Sequence, residues 1–324
     1  MVLMKAAVYE SQKKISMHHV PMPSINPGWS LIKVHFCGIC GTDMNIYAGS
    51  HPRAKRWLIV GHEFSGEVVV HPTLLPGTFV TAMPLLNCGG CDPCKQGYSH
   101  VCESLGLLGI DEAGGMAEYV MVPADDVYPL PKGMSLRRGA LVEPLAVAVH
   151  SVRESCFKSG DTVTVFGAGP IGLCVAIVLK LFGSNDISIV EVNPFRKKLA
   201  EELGFKVTEN SNFLSSKDIV FDCAAHPKVA EQLVKATKIK GQIVLVGTYK
   251  YPAALDLQNL TFKELSIKGT RVYTKKDYDI AISLLEQDFN FDKIITQEFE
   301  LDKVEQAFEM LAANGDCMKI LISL

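Results

Sequence analysis

The sequence predicts an α/β protein that combines a β-rich part with a doubly wound parallel sheet. Residues 1–130 contain short strand-like runs separated by Pro and Gly turns, with few long helical periods. From residue 161 onward, buried-strand patterns alternate with helical patterns, as expected for a parallel sheet with crossover helices. The length of 324 residues is that of two domains rather than one.

Composition and charge exclude several classes of protein. The chain is 48% hydrophobic, and its 32 Lys and Arg against 35 Asp and Glu leave a formal net charge of −3. Intrinsic disorder needs low hydrophobicity and high net charge, and nucleic-acid binding draws on net positive charge, so we expect neither. The longest apolar stretch, residues 171–182, is shorter than the roughly 18 residues of a membrane span, so we expect no membrane partner.

The first ten residues carry one Lys and run directly into a strand-like pattern, which is not the pattern of a signal peptide. The chain has ten cysteines, and without an export signal these favour thiols or metal ligands over disulfides. We therefore expect a cytoplasmic protein.

Four cysteines lie within 15 residues in the pattern C-x2-C-x2-C-x7-C: Cys88, Cys91, Cys94 and Cys102. The segment is rich in Gly and Pro, which favours a loop, and two-residue gaps let neighbouring thiolates converge on one tetrahedral ion. Four thiolates fill the coordination sphere, so the pattern predicts a structural zinc site in a lobe at residues 87–102. The alternatives are four metal-free thiols and a zinc ribbon that binds nucleic acid; Lys95, as the single base in the cluster, counts against the ribbon.

A second candidate metal site begins at Cys40. Cys37 and Cys40 form a CxxC pair, which by itself is also typical of a redox motif. His62 and Glu63 follow downstream, and Cys, His and carboxylate ligands suit a zinc ion that keeps one position open for substrate. Four dispersed cysteines in apolar settings are interpreted as small core residues: Cys156, Cys174, Cys223 and Cys317.

A glycine motif, G-x-G-x-x-G, lies at residues 167–172 between a β-branched apolar run and an apolar helical stretch. A second predicted strand at residues 187–190 is followed by Glu191, 19 residues after the last glycine. This context predicts a dinucleotide site with the helix N-terminus at the pyrophosphate and the acid on the adenosine ribose. The negative charge of Glu191 favours NAD over NADP, whereas the nearby cations would favour the 2′-phosphate of NADP. The expected cofactor contacts are Gly167, Gly169, Pro170, Ile171, Gly172, Glu191 and Arg196.

The alternation of strands and helices continues to residue 285. We predict further strands at residues 218–222, 242–247 and 265–268, and helices at residues 227–238 and 275–285. No repeat or low-complexity segment interrupts this order, which supports the prediction of a doubly wound parallel sheet.

Taken together, these motifs resemble the zinc-dependent medium-chain dehydrogenase/reductase family of the alcohol dehydrogenase superfamily, over essentially the whole chain. The nearest likeness is to its sorbitol (polyol) and threonine dehydrogenase branch. The four-cysteine lobe and five motifs carry the resemblance: GICGTD (38–43), GHEFSG (61–66), GGMAEY (114–119), EPLA (143–146) and GAGPIG (167–172). It implies a GroES-like catalytic domain at residues 1–146 and 286–324, and a Rossmann NAD-binding domain at residues 147–285.

The resemblance also implies roles for single residues. It assigns Cys40, His62 and Glu63 to a catalytic zinc, with Glu143 as a further ligand or as the partner of a water molecule there. Ethanol-type members have a cysteine where this chain has Glu143. One thiolate and one carboxylate already neutralise Zn²⁺, so we expect the two glutamates to exchange with water or substrate rather than bind together. Thr42 is expected to take the substrate hydroxyl proton, or alternatively to cap the turn after Cys40.

The chain departs from the family pattern in its proton relay and in one tyrosine motif. Many relatives have a histidine three residues after the Ser or Thr; here the residue is Asn45, so the relay ends at cofactor ribose, at water or at His51. The Arg-Tyr pair of polyol dehydrogenases becomes Arg271-Val272-Tyr273, which turns the arginine to the other side of an extended chain.

A basic loop is the third departure. Residues 50–57 carry three cations and His51 between the two zinc-ligand motifs. Such a loop suits an anionic substrate, such as a sugar acid or a phosphorylated polyol, or else is simply solvated. The candidate substrate contacts are His51, Arg53 and Tyr273.

We therefore expect an oxidoreductase that uses NAD and two zinc ions per chain, and converts a secondary alcohol reversibly to a ketone. The expected substrate is a polyol, a sugar acid or a sugar-alcohol phosphate. The alternatives are an L-threonine or vicinal-diol (butanediol-type) dehydrogenase, and a non-catalytic nucleotide-sensing protein, which would normally have lost the zinc ligands. Relatives are dimers or tetramers, which implies a homo-oligomer.

Overall fold

The computed structural model describes residues 2–211, 215–313 and 316–324. The chain divides into two compact units, residues 1–143 with 285–324 and residues 144–284. The sequence places the two transitions after residues 146 and 285, where the structure has them after residues 143 and 284.

The first unit consists mainly of antiparallel strands. Its strands are β1 (Leu3–Ser11), β2 (Lys14–Pro21), β3 (Trp29–Gly38), β4 (Leu58–Ile59), β5 (Glu63–Val70), β6 (Phe79–Ala82), β7 (Leu85–Leu86), β8 (Gly106–Leu107), β9 (Tyr119–Pro123), β10 (Val127–Pro129) and, after the second unit, β17 (Ile295–Glu300) and β18 (Lys319–Ser323). A seven-stranded sheet has the order β10-β6-β5-β3-β18-β17, with β9 also paired to β3. Smaller sheets have the orders β2-β1-β4 and β7-β8.

The helices of the first unit are short. They are α1 (Gly41–Tyr47), α2 (Asp92–Lys95), α3 (Leu136–Gly139), the start of α4 (Val142–Arg153) and, near the C-terminus, α10 (Val304–Ala312). Helix α10 buries Val304, Ala307 and Phe308, which follow helical spacing along one face. Phe308 stacks on Tyr47 of α1 with 5.5 Å between ring centroids, so the two helices share one apolar core.

The register of the main sheet brings the ends of three strands together. Strand β3 lies between β5 and β18, and its last residue, Gly38, is paired with Glu63 on one side and with Leu321 on the other. Ile39 donates a backbone hydrogen bond to the Ile320 carbonyl at 3.0 Å, which extends the contact past the end of β3. The first residues of β5 and β18 therefore meet where the chain leaves β3 for helix α1.

The second unit is a parallel sheet with helices between its strands. Its strands are β11 (Thr162–Phe166), β12 (Asp186–Val190), β13 (Lys206–Thr208), β14 (Lys217–Asp222), β15 (Thr237–Leu245) and β16 (Ser266–Gly269), in the order β13-β12-β11-β14-β15-β16. Its helices are α5 (Pro170–Leu181), α6 (Pro194–Glu202), α7 (Pro227–Ala236), α8 (Leu257–Phe262) and α9 (Lys275–Leu285), together with most of α4. The prediction of a β-rich part joined to a parallel-sheet part is confirmed.

Two details differ from the sequence-based expectations. The helix after Pro227 ends at Ala236, and β15 begins at Thr237 rather than at residue 242. The pairing of β14 with β15 shifts register in this stretch, because Lys217 pairs with Thr237 but Ile219 pairs with Gln242. Such a bulge leaves no trace in the alternation of polar and apolar residues, so the sequence could not predict it. Cys156 is exposed rather than a core residue, because it lies in the loop after α4.

Among the described helices the longest have 12 residues, and none has the length and apolar content of a membrane span.

Candidate metal and dinucleotide sites

Cys40, His62 and Glu63 come together in the first unit. Their ligand atoms all lie within 4.8 Å of one another. Cys40 immediately precedes α1 and is half-buried, whereas His62 and Glu63, at the start of β5, are 3% and 1% exposed. A thiol, an imidazole and a carboxylate in such a pocket form a donor set that Zn²⁺ prefers.

The His62 imidazole lies in a negatively charged environment. Its Nδ1 atom is buried without a hydrogen-bond partner among the described residues. Burial alone would lower the pKa of His62, but the charges of Asp43 and Cys40 outweigh it and raise that pKa well above its usual value. The same negative charges that raise this pKa also favour a bound cation at the imidazole.

Asp43 links the two ligand segments and is completely buried. Its Oδ2 accepts a hydrogen bond from the Cys40 backbone N–H at 2.8 Å, and its Oδ1 accepts one from the Gly61 N–H at 3.3 Å. Burial raises the pKa of this carboxyl above its usual value. The sequence reasoning did not assign Asp43 a role. An acid three residues after the N-cap residue is nevertheless a recognisable capping signal, and Asp43 has that position relative to Cys40.

Glu63 is held by Lys319, the first residue of β18. Nζ of Lys319 lies 2.7 Å from Oε1 and 2.6 Å from Oε2 of Glu63, and both side chains are buried. Burial alone would lower the pKa of Lys319, but the charges of Glu63, Cys40 and Glu143 raise it. Lys319 was also missed from sequence, where the available signal is a lysine between the apolar pair Cys317-Met318 and the apolar residues of β18.

Glu143 lies near this centre without joining the tight cluster. It is 7% exposed in the first turn of α4, and its charge contributes to the raised pKa of His62. Among the described residues, the group within 4.8 Å contains Glu63 and not Glu143.

Thr42 and Asn45 lie on helix α1 beside the cluster. Oγ1 of Thr42 is 3.9 Å from Sγ of Cys40, which donates to it. Asp43 supplies the cap to the Cys40 N–H, so that part of the capping is not done by Thr42. Both Thr42 and Asn45 are half-buried.

Two of the three cations of the basic loop have partners within the protein. Nη1 of Arg53 lies 2.9 Å from Oδ2 of Asp111 and donates to the Leu105 carbonyl at 2.8 Å. Nε of Arg56 donates to the Glu10 carbonyl at 2.7 Å. His51 is half-buried, and burial, with the charge of Arg53, lowers its pKa. Binding of an anionic substrate by His51 and Arg53 stays a prediction.

Tyr273, the third predicted substrate contact, belongs to the second unit. Its side chain is completely buried, and its ring packs on Tyr278 with 5.5 Å between centroids. Contact with a substrate through Tyr273 likewise stays a prediction.

The four lobe cysteines form a second cluster, also with all ligand atoms within 4.8 Å. Sγ of Cys102 lies 3.5 Å from Sγ of Cys88 and 3.7 Å from Sγ of Cys91. Sulfurs in a tetrahedral site with Zn–S bonds of about 2.3 Å are about 3.8 Å apart, whereas a disulfide brings them to about 2.05 Å. The spacing therefore fits a metal site with four thiolates.

Backbone N–H groups in this lobe stabilise negative charge on the Cys88 sulfur. Cys91 N donates to the Cys88 sulfur at 3.4 Å, and donation from Gly90 and Cys91 lowers the pKa of Cys88 to about 6. Burial, with hydrogen bonds to neighbouring thiols, raises the pKa of Cys94 to about 12. Because metal ligation requires thiolates, metal binding would release the proton of a thiol whose pKa is raised in this way.

The glycine motif forms a tight turn between β11 and α5. Gly167 has φ of 93°, which disfavours other residues, and Gly169 precedes the first turn of α5 at Pro170 and Ile171. A Cβ atom at Gly172 would come within 1.9 Å of the Gly167 carbonyl oxygen, so the helix packs too closely on the turn for any side chain.

Glu191 lies at the end of β12 beside this turn and is 7% exposed. Its Oε2 accepts a hydrogen bond from Ala168 N at 2.7 Å, and its Oε1 accepts from Val192 N and Asn193 N at 2.8 Å. Nη1 of Arg196 lies 3.6 Å from the position that a Gly169 Cβ would occupy, which puts a cation beside the same turn. The turn, the helix N-terminus and the acid fit a dinucleotide.

Two family models match the chain. The alcohol dehydrogenase GroES-like domain covers residues 26–132, and the zinc-binding dehydrogenase domain covers residues 170–287. The first match contains the residues of both metal clusters, and the second begins at Pro170, within the glycine motif.

Curated relatives align over nearly the full length. (R,R)-Butanediol dehydrogenase of Bacillus subtilis is 35% identical over 98% of this chain and 99% of its own. L-Threonine 3-dehydrogenase of Bacillus velezensis is 33% identical, with 98% of each chain covered. 2-Dehydro-3-deoxy-L-galactonate 5-dehydrogenase of Pseudoalteromonas atlantica is 32% identical, again with 98% of each covered.

Solved structures share the whole fold. A zinc-binding dehydrogenase of Sinorhizobium meliloti with NADP bound superposes with a TM-score of 0.94 at 29% identity, with 100% of both chains covered. An alcohol dehydrogenase of Escherichia coli in complex with NADH gives a TM-score of 0.93 at 29% identity, also with 100% of both covered.

Proposed function

The chain belongs to the zinc-binding medium-chain dehydrogenase/reductase family of the alcohol dehydrogenase superfamily, and we propose that it oxidises a secondary alcohol of a polyol, sugar acid or sugar-alcohol phosphate reversibly to the ketone, with NAD. The observation that carries this proposal is the buried cluster of Cys40, His62 and Glu63, with ligand atoms within 4.8 Å of one another. A structural zinc site fills all four positions with protein ligands, whereas three mixed ligands leave a place for substrate.

Zinc and NAD would each supply a defined part of the chemistry. When bound, zinc supplies a Lewis acid that lowers the pKa of the substrate hydroxyl, and NAD supplies the carbon that accepts the hydride. The protein's own part is to hold these groups, to orient the ligands and to carry away the hydroxyl proton. Asp43 serves the orientation, since it ties the Cys40 and Gly61 backbones together next to His62.

Thr42 is the residue that we assign to proton removal. Its hydroxyl is 3.9 Å from the Cys40 sulfur and can accept the substrate proton on Oγ1 while it donates its own onward. Asn45, one turn later on α1, cannot titrate at physiological pH. The proton therefore leaves by way of the cofactor ribose, of water or of His51.

The preference for NAD rests on Glu191. A carboxylate offers about four acceptor positions, and three backbone N–H groups occupy both positions on Oε1 and one on Oε2. One position on Oε2 is left for a ribose hydroxyl, and the negative charge disfavours a 2′-phosphate there. Relatives with either cofactor bound share the fold, so this preference depends on the side chains at the turn.

We assign the four lobe cysteines to a second, structural zinc ion, because thiolates in this number leave no place for substrate.

We also propose a homo-oligomer. Strand β16 is an exposed edge of the parallel sheet, with Ile267 39% exposed, and nearby segments expose Ile239, Leu257 and Phe262. Such an edge is normally covered, and a second copy of the chain is the proposed cover, to be checked by light scattering in solution.

A vicinal diol or L-threonine is the second candidate substrate class. Relatives that act on butanediol and on threonine are 35% and 33% identical to this chain. The ion pair of Arg53 with Asp111 also reduces the charge available to an anionic substrate. All these candidates share a secondary alcohol with a heteroatom on the adjacent carbon.

The test is NAD reduction with a panel of neutral polyols, aldonic acids, polyol phosphates, 2,3-butanediol stereoisomers and L-threonine. We expect the highest kcat/KM with a member of the first three groups, and no reduction with the Cys40→Ser variant. Turnover confined to butanediol or threonine would instead support the second candidate. Absence of turnover with the whole panel, in a protein that carries two zinc ions, would contradict the proposal.

A further inference from the structure

The first unit contains a cavity of about 660 Å³ that the proposed function does not use. Ligand-binding cavities of proteins usually measure about 300–1,000 Å³, so this one can take a small molecule. It lies where β9 and β7 meet the ends of β1, β2 and β3. Cys40, His62 and Glu63 are not among the described residues that line it, so the cavity is separate from the metal cluster.

Paired strands and backbone hydrogen bonds hold the walls of this cavity in place. Trp29, at the start of β3, pairs with Pro123, at the end of β9, and both line the cavity. On another wall, the Gly114 N–H donates to the Ile59 carbonyl at 2.8 Å. A ligand would therefore enter a space that already exists, and its binding would not have to order the protein first.

Most of the lining is apolar. Trp29 and Tyr119 contribute aromatic rings, and each is half-buried, so part of its side chain stays accessible. Aromatic rings attract an organic cation that lies over their faces. Four further apolar side chains of the lining are buried: Met4, Leu85, Leu108 and Val120. The cavity therefore suits a ligand with an apolar body.

The charged residues of the lining are both acidic. Glu112 is exposed and Asp126 is buried, and the described residues of the lining include no Lys, Arg or His. The chain as a whole has 32 Lys and Arg against 35 Asp and Glu, so the cavity is more acidic than the chain. Carboxylates repel an anionic ligand, whereas they form strong, charge-assisted hydrogen bonds with an ammonium group. The charge of the lining therefore selects a cation.

We propose that this cavity binds an organic ammonium ion with an apolar body, such as an alkylamine. Glu112 and Asp126 balance its positive charge, and its apolar part packs against the aromatic and aliphatic lining. A neutral alcohol with the same apolar body forms only uncharged hydrogen bonds there and binds more weakly. The site shares no residue with the metal clusters or the glycine turn, so it does not depend on the proposed function.

The chain has two tryptophans, and Trp29 lines the cavity whereas Trp57 does not. In the Trp57→Phe variant, Trp29 is therefore the single tryptophan that reports on the cavity by its fluorescence. This protein is titrated at neutral pH and constant ionic strength with hexylamine, 1-hexanol and hexanoate, which share one alkyl chain and differ in charge. We expect a saturable change in emission with hexylamine at roughly millimolar concentration, because so small a probe fills only part of the cavity. Hexanol should bind at least about tenfold more weakly, and hexanoate should not bind.

Glu112→Gln, made in the same Trp57→Phe protein, removes one of the two negative charges at an exposed position, where the substitution does not disturb the core. We expect the affinity for hexylamine to fall by about tenfold, as for loss of a hydrogen bond to a charged group. Glu103→Gln is the matched control, because Glu103 is exposed and does not line the cavity, and it should leave the affinity unchanged.

Three results would overturn the proposal. Without a saturable change with hexylamine, the cavity does not bind this class of ligand. Equal affinity for the three probes would show that apolar area alone drives binding. An equal loss in Glu112→Gln and Glu103→Gln would show a general effect of surface charge and no contact within the cavity.

Discussion

Oδ1 of Asp43 lies 3.8 Å from Nδ1 of His62, in a pocket where both side chains are buried. Asp43→Asn keeps the shape and removes the charge that favours a proton or a metal at His62. We expect zinc affinity at the Cys40 site to fall by about 10- to 100-fold, as for other residues that orient a ligand. Chelator competition at constant pH measures the loss.

Asp279→Asn is the matched control, because Asp279 is exposed on α9. It should leave zinc content and turnover unchanged. Wild-type zinc affinity in Asp43→Asn would show that Asp43 serves the fold of the segment between Cys40 and Gly61 and not the metal.

The two cysteine clusters should respond differently to substitution. Cys40→Ser is expected to abolish turnover and to leave one zinc per chain and an almost unchanged melting temperature, because Cys40 belongs to an open site. Cys94→Ser is expected to remove the lobe zinc and to lower the melting temperature, because metal binding contributes to folding in a closed site. Zinc analysis and calorimetry on the same samples separate the two, and the reverse pattern would contradict the division of the sites.

Motifs that are local in sequence made the clusters predictable. Successive lobe cysteines have two or seven residues between them, and His62 adjoins Glu63, so the spacing alone indicates ligands that converge. The alternation after residue 161 similarly predicts a parallel sheet, because both its strands and its helices bury apolar residues with regular periods.

Contacts between distant segments were not predictable in this way. Lys319 and Glu63 meet because β18 and β5 both adjoin β3, and no local pattern states that order. The exposure of Cys156 has a related cause, since an apolar neighbourhood in sequence does not determine what packs over a loop. A lysine within an apolar strand indicates that a buried counter-charge exists, but not which one.

Close packing at the glycine turn gives a prediction for the cofactor site. A methyl group at Gly172 would meet the Gly167 carbonyl oxygen at 1.9 Å, so Gly172→Ala must push α5 away from the turn. We expect a loss of about 1–3 kcal/mol in the free energy of unfolding and weaker NAD binding, because the turn and the helix N-terminus move together. Denaturant unfolding and NAD titration measure the two effects.

Gly269→Ala is the control for this substitution. A Cβ atom at Gly269 would have nothing within 4 Å, and its φ is not positive, so the same chemical change should leave stability and NAD binding near the wild type. Equal effects of the two substitutions would show that close approach at Gly172 is not the cause.

Glu191 and Arg196 act in opposite directions on the choice of cofactor. Glu191→Gln removes the charge that disfavours a 2′-phosphate, while Arg196 stays beside Gly169, where it can pair with that phosphate. We expect the ratio of kcat/KM for NADP to that for NAD to rise by roughly tenfold. This factor corresponds to about 1.4 kcal/mol, which is in the range of one hydrogen bond to a charged group. Adding Arg196→Ala should abolish this gain, whereas adding Lys198→Ala, an exposed position two residues on, should not. An unchanged ratio in Glu191→Gln, with the melting temperature preserved, would remove Glu191 from the cofactor choice and leave its three backbone hydrogen bonds as its whole role.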